Sequence, residues 1–344
     1  VAEIERHLTR IDAAVAALKR VQANLKRYRA SLLKAACEGR LVPTEAGLAR
    51  AAGREYEHAS VLLERILKER RAKWAAVGRK GKYKEPLPPD FTTLPPLPEG
   101  WVWATVEQLA WRIQYGTSAK ANSDSDGVPV LRMGNIQEGK LDYSDLKYLP
   151  SHHPDLPPTL LDDGDLLFNR TNSAELVGKT AVFYGNHNRV SFASYLIRVS
   201  FLEEYLPKYV SSFINSDHGR RYMRAVQSQQ VGQANVNGTK LAQMPVPLPP
   251  ATEQHRIVAE VERRLSVVQA AERAVETNLR RADRLRQAVL KRAFEGKLVA
   301  QDPSDEPASV LLERIRAERQ RLGENGNRKR PRNVRRRKLQ EAPL

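Results

Sequence analysis

Leu33-Lys34-Ala35-Ala36-Cys37-Glu38-Gly39-Arg40-Leu41-Val42 and Leu290-Lys291-Arg292-Ala293-Phe294-Glu295-Gly296-Lys297-Leu298-Val299 are two versions of one helix end, 257 positions apart. The same offset returns Val1-Ala2-Glu3-Ile4-Glu5-Arg6 as Val258-Ala259-Glu260-Val261-Glu262-Arg263. Further on, Ala59-Ser60-Val61-Leu62-Leu63-Glu64-Arg65-Ile66 recurs unchanged as Ala308 to Ile315 at an offset of 249, so the second copy has dropped eight residues of connecting loop. An ordinary long surface helix is the plain alternative, but it need not recur with its trailing turn and a second helix. Two long-helix modules therefore bracket whatever lies between them.

Within the first copy Ile4, Leu8, Ile11, Val15, Leu18, Gln22, Leu25, Arg29 and Leu32 follow a 4,3 spacing, which draws one mostly apolar seam along a helix. The second copy keeps the register through Val261, Leu265, Val268, Glu272, Val275, Leu279, Ala282, Arg286 and Val289. Polar residues interrupt each seam where the other copy is apolar, Gln22 against Leu279 and Glu272 against Val15. Each helix looks made for a partner. A helix of about 35 residues spans roughly 52 Å, about one and a half turns of B-DNA, so it suits a ruler.

The 344 residues and 41% hydrophobic content can support a proper core. Lys and Arg number 57 against 40 Asp and Glu, a net charge of +17 with a pI near 10.0, which favours a polyanionic partner. No apolar stretch approaches the roughly 18 residues of a membrane span, and no secretory signal pattern opens the chain, so a cytoplasmic location is expected. Cys37 is the single cysteine, which rules out an internal disulfide framework and a Cys-cluster zinc site. Val1 rather than Met comes first, as in a piece of a longer chain.

Composition divides the chain into helical regions at 1–77 and 251–322, a linker at 78–100 with six prolines, a mixed region at 101–250, and a basic tail at 323–344. Prolines favour an extended, semi-rigid linker. In the mixed region β-rich runs at Val128–Met133, Leu166–Phe168, Val177–Tyr184 and Tyr195–Phe201 alternate with Gly, Asn and Asp turns, and a helix is expected from Lys208 to about Val226. The expected fold class is α/β (α+β). Trp101, Trp103 and Trp111 read as core rather than stacking platforms. Arg328 to Lys338 carries eight basic residues in eleven, either extra phosphate affinity or a solubilising end.

Signs of enzyme chemistry fail on spacing. Gly178-Lys179-Thr180 resembles the end of a phosphate loop, but Ser173 stands where that loop needs glycine, and the segment is expected within a strand. Asn122-Ser123-Asp124-Ser125-Asp126-Gly127 imitates a calcium loop, yet Met133 occupies the place of its bidentate Glu, so a polar turn is expected. His152 and His153 have no second ligand pair at metal spacing and read as solvated. Cys37 answers to Phe294 in the repeat, so its position reads as apolar and structural, not nucleophilic. No methyltransferase motif, glycine-rich S-adenosylmethionine loop or Ser/His/Asp set appears. The reading is of a non-enzyme with no catalytic residue and no metal.

Three polar stretches stand out: Tyr115-Gly116-Thr117-Ser118-Ala119-Lys120, with Thr117, Ser118 and Lys120 as its polar side chains; Asn169, Arg170, Thr171, Asn172 and Ser173; and Gln227 to Gly238, with Gln229, Gln230, Gln233, Asn235 and Asn237. Amides and Arg read base edges, while hydroxyls and lysines, Lys179 and Lys240 among them, contact phosphates. Turn formation explains any one Asn or Ser as well as base contact does. The Gln-rich stretch exceeds what a turn requires.

Together these features resemble the specificity subunits of type I restriction-modification systems. The resemblance rests on Leu97-Pro98-Glu99-Gly100-Trp101, Gly164-Asp165-Leu166-Leu167-Phe168, Pro245-Val246-Pro247-Leu248-Pro249-Pro250, Glu253-Gln254-His255-Arg256-Ile257-Val258 and the repeated helix ends. It implies target recognition domains separated by helices that pack as an antiparallel coiled coil, each domain reading half of a bipartite site in double-stranded DNA. It also implies methyltransferase (modification) subunits that bind S-adenosylmethionine, and ATP- and Mg2+-dependent restriction/translocase subunits, with no cofactor in this chain. Only one recognition domain is present, and Val1 aligns with Val258, where the second half of a full subunit would begin. A removed first domain and a half-size subunit acting as a dimer both stay open. So do two other readings, the recognition fragment of a fused restriction-methyltransferase and a structural coiled-coil adaptor without sequence preference.

Overall fold

The computed structural model describes residues 1–78, 81–185, 189–230, 233–300 and 302–327, without the side chains of 229, 230 and 323–327. The basic stretch Arg328 to Lys338 lies outside the described residues. Ten helices run along the described chain: α1 (Ala2–Cys37), α2 (Glu45–Ala52), α3 (Ala59–Ala76), α4 (Val106–Leu109), α5 (Leu156–Thr159), α6 (Leu206–Asn215), α7 (Asp217–Val226), α8 (Gly238–Ala242), α9 (Ala251–Phe294) and α10 (Ala308–Asn327). Among the described residues no helix is long and apolar enough to cross a membrane.

The repeated helix ends fold alike. Gly39 and Gly296 take the left-handed conformation with φ of 67° and 68°. Arg40 N then donates to Ala35 O at 2.9 Å, and Lys297 N to Arg292 O at 2.8 Å, the closing bond of a glycine-terminated helix. Along the seams of α1 and α9, Ile11, Leu32, Val261, Val268, Val275 and Val289 are buried, while Gln22 is exposed.

Two compact units make up the chain. The smaller comprises Val1–Ala17 and the described residues from Asn278 onward. In it Arg286 pairs with Asp12, and most apolar residues of α10 are exposed.

The larger unit, Leu18–Thr277, holds a mixed α/β region. Its central sheet has the order β2-β11-β7-β9, from β2 (Ala110–Tyr115), β11 (Leu196–Phe201), β7 (Leu166–Asn169) and β9 (Thr180–Val182), all neighbours antiparallel. Around it lie β1 (Val102–Thr105) with β14 (Pro245–Leu248), the trio β10 (Ser191–Phe192), β3 (Val128–Leu131) and β6 (Lys147–Leu149), the hairpin β4 (Ile136–Gln137) and β5 (Lys140–Leu141), and the trio β12 (Ser228–Gln230), β13 (Gln233–Asn235) and β8 (Thr171–Asn172). Pro245 and Pro247 are tolerated in β14 because it belongs to a two-stranded sheet with β1 alone.

The main core joins the sheet to the helices. Leu33, Ala36 and Cys37 of α1, Leu62 and Ile66 of α3, Phe168, Tyr209, Val258 and Val261 share one apolar cluster. Trp101 is part of it, edge-on to Tyr209 at 6.4 Å, and Tyr209 Oη donates to Pro247 O at 2.7 Å. Arg29 of α1 pairs with Glu272 of α9 at 2.7 Å, so the polar interruptions of the two seams meet each other. Buried Glu45 sits between Arg54 and Arg256 at 2.5 and 2.6 Å, and its N–H donates to Glu253 at 2.9 Å.

The sheet is pinned by a buried polar node. Arg198 of β11 is fully buried and donates to Leu160 O at 2.5 Å, Pro158 O at 2.8 Å and Asp165 at 3.4 Å. Asp165 also accepts from Ser200 Oγ at 2.5 Å. Burial pushes the Asp165 carboxyl upward against these donors, and lowers Arg198 despite its acidic neighbour.

Several expectations need correction. The helix placed at Lys208 to Val226 is two helices, because Ser216 leaves the helical conformation and its Oγ caps α7 by accepting from Gly219 N. The run Val177–Tyr184 is a strand only at Thr180–Val182, since Gly178 turns the chain with φ of 83°. Gly178-Lys179 is thus a turn rather than strand. Met133 belongs to a 3-10 turn after β3. The 122–127 segment is the polar turn expected, with Asn122 Oδ1 accepting from Asp124 N and Asp124 Oδ1 from Asp126 N. The proline-rich linker lies against the mixed region at points: Thr105 Oγ1 donates to Leu87 O and Trp103 Nε1 to Pro95 O, both at 3.0 Å. Trp103 and Trp111 are only half-buried, and Lys73 and Arg112 stand over the Trp111 ring at 4.2 and 4.4 Å. Cys37 is buried and its thiol is pushed up to about 12, which removes it as a nucleophile, but its counterpart Phe294 is exposed.

Candidate nucleic-acid interface

The three polar stretches, more than a hundred positions apart at their extremes, come together on one face. β13 lies between β12 and β8, with Asn235 opposite Thr171 and Ala234 opposite Asn172. Asn235 Nδ2 donates to Thr171 Oγ1 at 2.8 Å. Val236 N donates to Arg170 O at 2.9 Å, and Gly238 N to Tyr115 Oη at 2.7 Å. The first stretch is held against β10, where Thr117 N donates to Phe192 O at 2.9 Å and Ser194 N to Thr117 O at 2.7 Å. Gly116 is required there, because a Cβ would stand 2.2 Å from Phe192 O.

Arg170 is the hub. Its guanidinium lies over the Tyr115 ring at 5.0 Å and reaches Asn235 Oδ1 and Ser194 O, both at 3.4 Å. These long contacts leave the fork able to turn toward a stronger acceptor. Ser118, Lys120, Ser173 and Gln233 are exposed, and Asn172 and Asn235 half-buried. Exposed hydroxyl, amide and ammonium groups of this kind suit phosphate and base-edge contacts.

Other members of the set have structural roles. Thr117, Thr171 and Asn169 are buried. Thr117 Oγ1 donates to Asp155 at 2.5 Å. The Asn169 amide has no side-chain partner among the described residues, so its burial beside the face is not explained by hydrogen bonding within the chain. Asn237 caps α8 by accepting from Lys240 N at 2.9 Å, and Lys240 Nζ donates to Val226 O. Lys179 lines a cavity elsewhere in the same unit. The Gln229 and Gln230 side chains lie outside the described residues, although their backbone pairs with Ala234 and Gln233. Tyr115 and Tyr195 are both exposed, and Tyr195 falls outside the three stretches. Its signal was an aromatic side chain next to a polar one, here Ser194-Tyr195.

No family model matches the chain. Among curated proteins it is 33% identical over 227 residues to the type I restriction enzyme EcoKI specificity subunit of Escherichia coli K12, covering 63% of this chain and 49% of that one. The EcoBI specificity subunit of Escherichia coli is 25% identical over 334 residues, 93% of this chain and 62% of that one. The StySPI specificity subunit of Salmonella potsdam is 26% identical over 230 residues, covering 64% and 50%. The chain spans about half the length of the first of these relatives. Among solved structures, the HsdS subunit of Thermoanaerobacter tengcongensis aligns with a TM-score of 0.39 at 20% identity, over 85% of this chain and 59% of that one.

Proposed function

We propose, taking as premise that the chain belongs with the type I restriction-modification specificity subunits, that it is the non-catalytic part of such a complex that reads one half of a bipartite DNA target. Residues 101–250 act as the target recognition domain. Residues 1–77 and 251–322 act as helical regions whose long helices form an antiparallel coiled coil, with 78–100 as their connection to the domain and 323–344 as a basic tail. Methyltransferase subunits, carrying S-adenosylmethionine, dock on these helices, and restriction/translocase subunits supply ATP- and Mg2+-dependent cleavage. The complex works in the cytoplasm on double-stranded DNA.

The observation that carries this reading is the meeting of the three polar stretches around Arg170. Their convergence gives a contiguous polar face on a chain of net charge +17, as sequence-dependent binding over a phosphate background requires. The test is methylation of defined duplexes by a cognate methyltransferase with this chain, before and after replacement of residues 229–237. The reading expects a changed target and fails if the modified sequence stays the same.

The second repeat favours a further point within this reading. Phe294, Leu311 and Ile315 are exposed although their counterparts Cys37, Leu62 and Ile66 are buried against the mixed region. An equivalent recognition domain covers that surface in the working complex, supplied by a second copy or by a longer chain. Mass measurement of the chain alone and with its methyltransferase separates these sources.

A further inference from the structure

A cavity of about 750 Å³ opens within the larger unit, and its lining includes none of Tyr115, Arg170 or the β12-β13-β8 sheet. Val258, Val261 and Leu265 of α9 form an apolar wall with Leu141 and Val182, and Tyr143 and Tyr184 also face it. Several lining charges are already matched: Lys208 pairs with Glu262 at 2.7 Å, and Arg29 with Glu272 and Glu138 at 2.7 and 3.0 Å. Lys140 Nζ donates to Gln269 Oε1 at 2.7 Å.

Lys179 and Arg220 differ. Gly178 turns the chain so that Arg220 Nη1 stands 3.5 Å from where a Cβ would be, and that nitrogen donates to Val177 O at 2.7 Å. Neither cation has a carboxylate partner among the described residues. Burial and the Arg220 charge hold the Lys179 ammonium below its ordinary range, partly offset by Glu138; burial and Arg224 lower Arg220. A desolvated pair of like charges is unfavourable unless an anion answers it. Ser212 and Asn215 line the same cavity.

We propose that this cavity binds the phosphate of a nucleotide, with Lys179 and Arg220 on the phosphate oxygens and the tyrosines and apolar wall against the base or sugar. A guanidinium fork beside an ammonium suits the several oxygens of a phosphate better than the two of a carboxylate. The volume falls in the range of small-ligand sites. The apolar wall is what free inorganic phosphate would leave unused. The phosphate belongs either to a free nucleotide or to a DNA strand. The proposal rests on the cavity alone and is independent of what the polar face reads.

The test is calorimetric titration of the full chain with adenosine 5′-monophosphate, inorganic phosphate and a short DNA duplex at low salt. Lys179→Gln and Lys179→Arg are titrated in parallel, with circular dichroism melting as the check on folding. For a free nucleotide, the monophosphate binds, Lys179→Gln weakens it about tenfold and Lys179→Arg largely retains it. Lys84→Gln, in the linker and outside the cavity, leaves that binding unchanged. For a strand phosphate, the monophosphate does not bind, and Lys179→Gln weakens the duplex while lowering its salt slope by about one. The proposal is overturned if folded Lys179→Gln binds both probes as the unsubstituted chain does, if neither probe binds that chain, or if inorganic phosphate binds as tightly as the nucleotide.

Discussion

Ala59–Ile66 and Ala308–Ile315 have the same eight residues, and both begin helices, yet their surroundings differ. Leu62 and Ile66 are 0% and 1% exposed; Leu311 and Ile315 are 47% and 39% exposed. At the preceding helix end Cys37 is 4% exposed and Phe294 89%. Helix formation and its glycine stop are local properties, so both copies fold alike. Burial depends on what packs against the helix: Leu62 and Ile66 belong to the main apolar cluster of the larger unit, and Leu311 and Ile315 do not.

The largest expected effect tests this difference directly. Leu62→Ala or Ile66→Ala should destabilise the chain by about 2–5 kcal/mol, the range for emptying a packed core site. Leu311→Ala or Ile315→Ala should change stability by no more than about 0.5 kcal/mol. Urea unfolding of the four variants measures both, and equal losses in the two copies would break the comparison. In a complex that covers the second copy, the Leu311 variant should become costly as well.

Next come the two glycines. Gly39→Ala and Gly296→Ala each meet a left-handed conformation costing about 1 kcal/mol. At Gly39 a Cβ would also stand 2.6 Å from Pro98 Cγ. Thermal melts should therefore show Gly39→Ala losing clearly more than the backbone cost of about 1 kcal/mol alone; a loss no larger than that would mean that Pro98 yields without cost.

The smallest effect is electrostatic and belongs to the first copy. Burial pushes the Glu45 carboxyl up, but hydrogen bonds from Arg54 and Arg256 outweigh it and hold the group below its ordinary range. A lowered carboxylate contributes stability above its unfolded value, about pH 4.3, and loses it as pH falls through the folded value. Both arginines are partly open to solvent, so the contribution is about 1 kcal/mol. Unfolding from pH 7 to pH 3 should show the unsubstituted chain and Glu45→Gln converging in acid. A difference that persists at pH 3 would assign the effect to packing.

The same contrast explains what was legible in the sequence. The 4,3 spacing located the seam positions that are mostly shielded because it follows from helix geometry, and the Glu-Gly-Arg and Glu-Gly-Lys turns marked where the helices end. Equating Cys37 with Phe294 went too far, because a repeat preserves sequence and not environment. Ser216 and Gly178 broke the expected helix and strand through capping and a positive φ, local choices that apolar periodicity does not register. At the candidate interface, residue type singled out the three stretches. Their meeting was not legible, since it depends on a two-residue strand at Thr171–Asn172 pairing with Ala234–Asn235. Nor was the division of labour among them: Asn237 looks like a base reader and serves as a helix cap, whereas Gln233 stays exposed.

The central claim is that the face around Arg170 reads one half of a two-part DNA target. Genome-wide methylation mapping in a host carrying the methyltransferase partner, with either the unsubstituted chain or one with residues 229–237 replaced, tests it most directly. The account predicts that one half of the methylated sequence changes while the other half and the spacing persist. An unchanged methylated sequence would contradict it.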